Sequence, residues 1–390
     1  MNLVKKDKLK IIGLNSGMSR DGIDLCFCTL AGDFPNINFS DLSFHSEPYS
    51  HKVSALLDNP SSLGVKEVAE LDVLIAKDFA RVVNNFLEKS KISARDVDLI
   101  GSHGQTLYHQ SVDPENVSTS LQVGSLSYLS QLTKISVIGN FRMADMAVEG
   151  QGAPISPILD YILSFAELKS GEIAFNNLGS ISNLCVLSQN TDNIIAFDCG
   201  PANMLIDFFA NKFLEKTQGC DLDGRFSAEG KIFEPFVEEI LANDFFKKKP
   251  PKAAGFKDFG AHKLEELFNK YKDKMSDLDF LRSSVEVSAR STAEAYHKWV
   301  LPKFPALQKV KFSGGGVKNT TLMKRLTELM SPLNVQVIEQ EEYIHGKEAM
   351  LFALLAYLKS MNIPANFPSV TGAAQAVPLG EFALFSTKER

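Results

Sequence analysis

No CxxC pair and no histidine cluster at zinc-ligand spacing occurs in this chain. Its five cysteines (Cys26, Cys28, Cys185, Cys199 and Cys220) are an odd number. A disulfide framework and a structural zinc site are therefore not expected, and reduced thiols in a cytoplasmic protein fit best. Long apolar runs are also missing. The N-terminus, MNLVKKDKLKIIGLNSG, offers a four-residue apolar run, too short for a signal peptide. The longest apolar helical stretch, AMLFALLAYL, is ten residues, about half a membrane span. There is no basic excess: the net charge is −6, with acids and bases interspersed. A partner carrying a phosphate backbone usually demands a basic stripe, so no nucleic acid and no membrane partner is expected. The runs KKDKLK and FFKKKPPK read as solvated surface.

What is present is enough for two domains. The chain has 390 residues, of which 44% are hydrophobic, more than a single ordinary core organises. LKIIGL (9–14) and DLCFCTL (24–30) read as strands around a glycine turn. From Val65 to Glu88 apolar residues step by three or four, which predicts an amphipathic helix. VDLIGSHGQT (97–106) and ISVIGNFRMADMAVEGQGAP (135–154) each read as a strand running into a polar turn. GEIAFNNLGSISNLCVLSQNTDNIIAFDCG (171–200) holds three strand-like runs around a second small polar turn. PANMLIDFFANKFLEK (201–216) reads as a helix with Pro201 in its first turn. A charged, mostly helical stretch spans about 231–300, and 307–330 reads as strand, triple-glycine turn and helix. A buried helix is expected over 346–361, then an irregular tail. Each half thus opens with a strand, a small polar turn and an antiparallel strand.

The first turn, GLNSGMSRDGID, is neither a Walker loop nor a Rossmann fingerprint. It has no GK[ST] ending and leads into a strand rather than a helix. A hairpin whose backbone N–H groups form a nest for an anion remains, with Mg²⁺ between phosphate and the carboxylates Asp21 and Asp24. A plain hairpin turn would use the same residues. The second turn, NNLGSISN, and the late Gly314–Gly316 run strengthen the nucleotide reading: two turns closing on phosphates, and a bare backbone against which a base or ribose lies.

Hairpin phosphate loops in two halves with a late GGG turn resemble the sugar kinase/heat-shock-70/actin superfamily. Within it the chain resembles the anhydro-N-acetylmuramic acid kinases of bacterial cell-wall recycling. The family's GLMSGTSLDGVD appears as GLNSGMSRDGID, its IGSHGQT unchanged at 100–106, and its DFRxxDVAxGGQGAPLVP as NFRMADMAVEGQGAPISP. Its NxGGxxNL appears as NNLGSISNL, its GFDxGPGNxLMD as AFDCGPANMLID, and its CGGGxxNxxLM as SGGGVKNTTLM, in collinear order over essentially the whole chain.

The resemblance implies an α/β fold: a two-domain, actin-like ATPase of ribonuclease H-like units with a central cleft. Residues 1–150 with 360–390 would form the first domain and 151–359 the second. It implies a kinase that uses ATP and Mg²⁺ to open 1,6-anhydro-N-acetylmuramic acid with water and phosphorylate O6. Its partners are then ATP and a small amino sugar, and a homodimer is compatible with it. Asp198 matches the catalytic base that takes a proton from water, with a helix cap as the competing reading. The ATP-binding set carried over is Gly17, Met18, Ser19, Arg20, Asp21, Gly22, Ile23, Asp24, Asn177, Gly179, Gly314, Gly315, Gly316 and Asn319, with Asp21 assigned to Mg²⁺. The substrate set is Ser102, His103, Gln105, Thr106, Arg142, Asp145, Gln151 and Glu348. Arg142 would meet a lactyl carboxylate or phosphate, or pair with Asp145. Gln151 sits among glycines that would also serve a hinge. Glu348 would touch substrate or favour a helix N-terminus. The chain departs from the pattern at Asn15 (family Met), Met18 (Thr), Arg20 (Leu), Asn140 (Asp), Ser180 and Ala202 (both Gly). Two alternatives stay open: a same-fold kinase for another sugar, and an impaired homologue that only binds nucleotide.

Overall fold

A computed structural model describes residues 6–17, 22–110, 117–214, 219–254, 256–340 and 346–386. The chain divides into two compact units, Met1–Phe165 with Ile344–Arg390, and Ala166–Tyr343. The strands of the first unit are β1 (Lys8–Asn15), β2 (Ile23–Ala31), β3 (Asn38–Glu47), β4 (Leu99–Ser102), β5 (Gln105–Gln110), β6 (Thr119–Val123) and β7 (Val137–Gly139). The second unit holds β8 (Ile173–Leu178), β9 (Ile181–Leu187), β10 (Ile195–Pro201), β11 (Lys309–Ser313) and β12 (Gln336–Glu339). The last strand, β13 (Glu381–Ala383), returns to the first unit.

The two main sheets repeat one plan. The first runs β13-β7-β4-β1-β2-β3 and the second β10-β9-β8-β11-β12. In the first, β1, β2 and β3 are antiparallel neighbours, while β4 and β7 continue parallel to β1. In the second, β8, β9 and β10 are antiparallel, while β11 and β12 continue parallel to β8. The same strand order and the same senses in both units make the doubled ribonuclease H-like arrangement of the actin-like fold. The polar turns expected in each half are the first hairpin connections of the two sheets.

Apolar periodicity explains the cores. On the helix Val65–Ser90, residues Leu71, Ile75, Phe79, Val82 and Phe86 are buried at helical spacing and pack with Ile12, Leu14 and Leu25. The second unit has two clusters. One lies under its sheet around Val310 and Phe312. The other is rich in phenylalanine (Phe209, Phe236, Phe245, Phe259 and Phe280). The helix Lys347–Ser360 is buried on nearly every side and lies on the first unit's sheet. A Cβ on Gly13 would overlap the Ala349 carbonyl, and one on Gly101 the Phe352 carbonyl. These two glycines therefore serve helix-on-sheet contact, not ligand approach.

Several expectations shift. Residues 151–165 and 344–359, expected in the second domain, group with the first unit, because the Lys347–Ser360 helix covers that unit's sheet. Pro201 ends β10 instead of opening a helix, and the helix begins at Asn203. β3 went unread because its residues are almost all polar or exposed, leaving no apolar run. The β5–β6 pair and the edge strand β13 went unread as well.

Candidate active site

In the first unit, the β1–β2 turn is fastened by side chains. Met18, Ser19, Arg20 and Asp21, the centre of the expected phosphate loop and its Mg²⁺ ligand, lie outside the described residues. The turn's shoulders are described. Gly17 and Gly22 flank it, Ile23 is buried at the start of β2, and half-buried Asp24 pairs in register with Asn15. Gln105 is fully buried, and its Oε1 lies 2.8 Å from the Ser16 hydroxyl, which also faces the Gly22 carbonyl at 2.9 Å. The Tyr49 hydroxyl donates to the same Gln105 oxygen at 3.2 Å, and Gln105 Nε2 donates to the Gly17 carbonyl at 3.4 Å. Its neighbour Thr106 is buried and accepts from Gln122 Nε2 at 3.4 Å. Gln105, expected at the sugar, is thus placed where it fixes the turn.

Beside it lies a polar cluster. Arg142 Nε donates to His103 Nε2 at 3.2 Å, and Arg142 also donates to the Gly152 carbonyl at 2.9 Å. His103 is buried against Phe352, with ring centroids 4.5 Å apart. Burial, then the Arg142 charge, pushes its pKa down to about 3, so it stays a neutral acceptor at pH 7. Among the described residues its Nδ1 and the Ser102 hydroxyl have no hydrogen-bond partner. Burial lowers the pKa of Arg142, and nearby Glu348 counters this. Glu348, in the first turn of the Lys347–Ser360 helix, accepts from Asn15 Nδ2 at 2.5 Å. The Arg142–Asp145 pair, the competing reading, does not form among the described residues. Asp145 is fully buried and accepts from Asn366 Nδ2 (2.6 Å), Thr371 Oγ1 (2.7 Å) and the Gly152 N–H (2.8 Å). The Gln151 N–H donates to the Thr371 carbonyl at 2.9 Å. Asp145 therefore ties the Gly150–Pro154 loop to the turn at Thr371–Ala373, while the half-buried Arg142 donates elsewhere.

In the second unit, the β8–β9 turn is fastened by backbone. The Ala202 and Met204 N–H groups donate to the Ser180 carbonyl, and the Asn203 N–H to the Gly179 carbonyl, each at 3.0 Å. Asn203 Nδ2 adds a bond to the Leu178 carbonyl at 3.1 Å. The Gly314–Gly316 turn packs on the same loop. Gly314 has φ +89°, and a Cβ there would lie 2.5 Å from Asn177 Oδ1, whereas Gly315 has only the Asn203 amide at 3.5 Å. Asn319 caps the helix Thr320–Met330 by accepting the Leu322 N–H at 3.0 Å.

Asp198 lies in β10 at a register slip between Asp198 and Gly200. Its Oδ2 accepts the Ala254 N–H at 2.7 Å. Burial pushes its carboxyl up to about 6, against the opposing influence of that N–H and of the Lys252 ammonium. The next helix is preceded by Ala202, so Asp198 is not its cap. A half-buried carboxylate that ionises near neutrality is suited to take a proton from water.

The sequence profile of the anhydro-N-acetylmuramic acid kinase family matches residues 9–385. The chain belongs to this family. Similar proteins named anhydro-N-acetylmuramic acid kinase are found in Salinibacter ruber, 33% identical with 98% of each chain covered. Another is in Caldanaerobacter subterraneus subsp. tengcongensis, 33% identical over 98% of this chain and 99% of that one. Among solved structures the likeness is looser. Component A of the (R)-2-hydroxyglutaryl-CoA dehydratase of Acidaminococcus fermentans aligns with TM-score 0.42 and 11% identity, covering 90% of this chain and 99% of that one.

For an anhydro-N-acetylmuramic acid kinase family member, three departures are structurally mild. Asn140 has φ +56° and donates to Glu381 at 2.8 Å, a conformation Asn and Asp both adopt. Ser180 and Ala202 are not in the left-handed region, so the glycines they replace were not required for backbone shape. Residues missed from sequence include Asn203, visible within AFDCGPANMLID, and Ser16, Tyr49, Asn366 and Ala254, which only the fold brings to their partners. Lys252, read as part of a solvated run, is half-buried beside Asp198. Among the described residues no helix is long and apolar enough to cross a membrane.

Proposed function

We propose that this kinase transfers the γ-phosphoryl group of ATP to O6 of 1,6-anhydro-N-acetylmuramic acid while water adds at C1. The products are N-acetylmuramic acid 6-phosphate and ADP, in cytoplasmic cell-wall recycling. The observation that carries the reading is Asp198: a half-buried carboxylate near pKa 6 that accepts the Ala254 N–H, in a chain of this family. Ionised, it takes a proton from water as the water oxygen bonds to C1. The C1–O6 bond breaks, its electron pair stays on O6, and O6 bonds to the γ-phosphorus as ADP leaves.

The other residues bind and orient. The β8–β9 turn offers backbone N–H groups to a phosphate, and Gly315, beside the Asn203 amide, accepts the nucleoside. Arg142, kept without a carboxylate partner by Asp145's other bonds, takes the sugar's lactyl carboxylate. Glu348, steadied by Asn15, holds a sugar hydroxyl. Oxygen donors at the β1–β2 turn suit Mg²⁺, with half-buried Asp24 the described carboxylate there and Asp21 the other candidate. When bound, the ion neutralises charge developing on the phosphates.

The test is Asp198→Asn. Turnover should fall by about 10²–10⁴ while nucleotide affinity survives, and undiminished turnover would falsify the assignment. Reaction in ¹⁸O-water should place the label at C1. Product from a different sugar alone would show a kinase of other specificity.

A further inference from the structure

β10 is the edge strand of its sheet, with β9 on one side only. Along its open side runs the segment Pro250–Ala254. The Asp198 N–H donates to the Lys252 carbonyl at 3.0 Å, and two residues later the Ala254 N–H donates to Asp198 Oδ2 at 2.7 Å. The segment is thus fastened to both the backbone and the side chain of one residue. Lys252 is itself pinned. Its ammonium lies 4.3 Å above the Phe245 ring and donates to the Phe245 carbonyl at 3.3 Å. It forms no carboxylate ion pair among the described residues.

We propose that Lys252–Ala254 is a strap that positions Asp198 for its role as base, Ala254 through its N–H and Lys252 through its charge. The inference rests on Asp198 being that base. A carboxylate has two oxygens and a soft terminal torsion. The Ala254 N–H takes one lone pair of Oδ2 and so sets the direction in which the remaining lone pairs of the carboxylate face the water. A hydrogen bond to an ionised acceptor is stronger than a neutral one, so the contact also holds the orientation while the group is charged.

The electrostatics have a definite sign. Burial pushes the Asp198 carboxyl up to about 6, while the Ala254 N–H and Lys252 favour its ionised form. The remaining groups around this corner are Cys199, whose thiol burial pushes up to about 12 and leaves neutral, and Glu294 and Lys298, which act on Lys252. Removing either part of the strap therefore weakens ionisation and moves the acid limb of kcat/KM upward in pH.

The experiment compares pH profiles of kcat/KM for the wild type, Lys252→Met, Lys252→Arg and Ala254→Pro, with nucleotide affinity measured for each. Lys252→Met keeps the aliphatic stem over Phe245 and should shift the acid limb up by about one unit or less, with nucleotide affinity unchanged. Lys252→Arg should return the limb toward the wild-type position. Ala254→Pro deletes the N–H and should lower kcat by about tenfold or more. If that variant does not fold, Lys252→Met decides. An acid limb that stays in place or moves down in Lys252→Met overturns the strap. If Asp198→Asn is inactive yet Lys252→Met has a wild-type profile, the strap fails while the base stands. If Asp198→Asn remains active, the base reading itself falls.

Discussion

The hairpin turns after β1 and after β8 hold the same place in the repeated sheet, yet they are fastened by different means. The described shoulders of the first are tied by side chains: Gln105, Ser16 and Tyr49 meet beside Gly17. The second hangs on backbone, its carbonyls taking the N–H groups that open the Asn203–Phe213 helix. Backbone fastening tolerates changes of side chain, and Ser180 and Ala202 stand in the second turn where the family pattern has glycine. Side-chain fastening depends on which residues are present. The first turn has Asn15 where the pattern has methionine, and that asparagine makes a bond to Glu348 that a methionine would not.

Breaking the side-chain fastening should have the largest effect. Gln105→Leu takes the Gln105 acceptor from the Tyr49 hydroxyl and the Gln105 donor from the Gly17 carbonyl, and should cost about 1–3 kcal/mol in urea unfolding and raise the KM for ATP. An unchanged KM would show that the turn holds its shape without Gln105. Next come the glycines over the second turn. Gly314→Ala, at φ +89° and against Asn177, should cost about 1–3 kcal/mol. Gly315→Ala meets open space and should stay within about 0.5 kcal/mol. Equal losses in the two melts would refute this reading of the GGG turn. The backbone-fastened positions should respond less than Gly314. Restoring the family residue, in Ser180→Gly or Ala202→Gly, should lower stability by roughly 0.5–1 kcal/mol and leave kcat unimproved. A gain in kcat would mean that close backbone approach, not φ, was the reason for those glycines.

The same contrast explains what could be read in advance. Both hairpins were legible because apolar strands bracket small polar turns, and local pattern is enough for that. The family motifs carry Gln105 and Asp145 into the substrate set, but not the contacts that hold them. Their actual partners, Tyr49 for one and Asn366 and Thr371 for the other, are far away in sequence, and no local rule links them. Asp198 could be named from its motif, but the Ala254 N–H that shapes its basicity comes from just beyond a run that reads as solvated surface. Burial sets the pKa of both Asp198 and His103, and burial is a property of the completed fold.

The Lys347–Ser360 helix also fixes an order of events during synthesis. The second unit is one continuous stretch, Ala166–Tyr343, and can complete its core while the rest of the chain is still on the ribosome. The first unit cannot. Gly13 and Gly101 were shaped to take the backbone of a helix that emerges more than two hundred residues later. Until then that face of its sheet waits uncovered, so the part of the protein made first is the last to be finished.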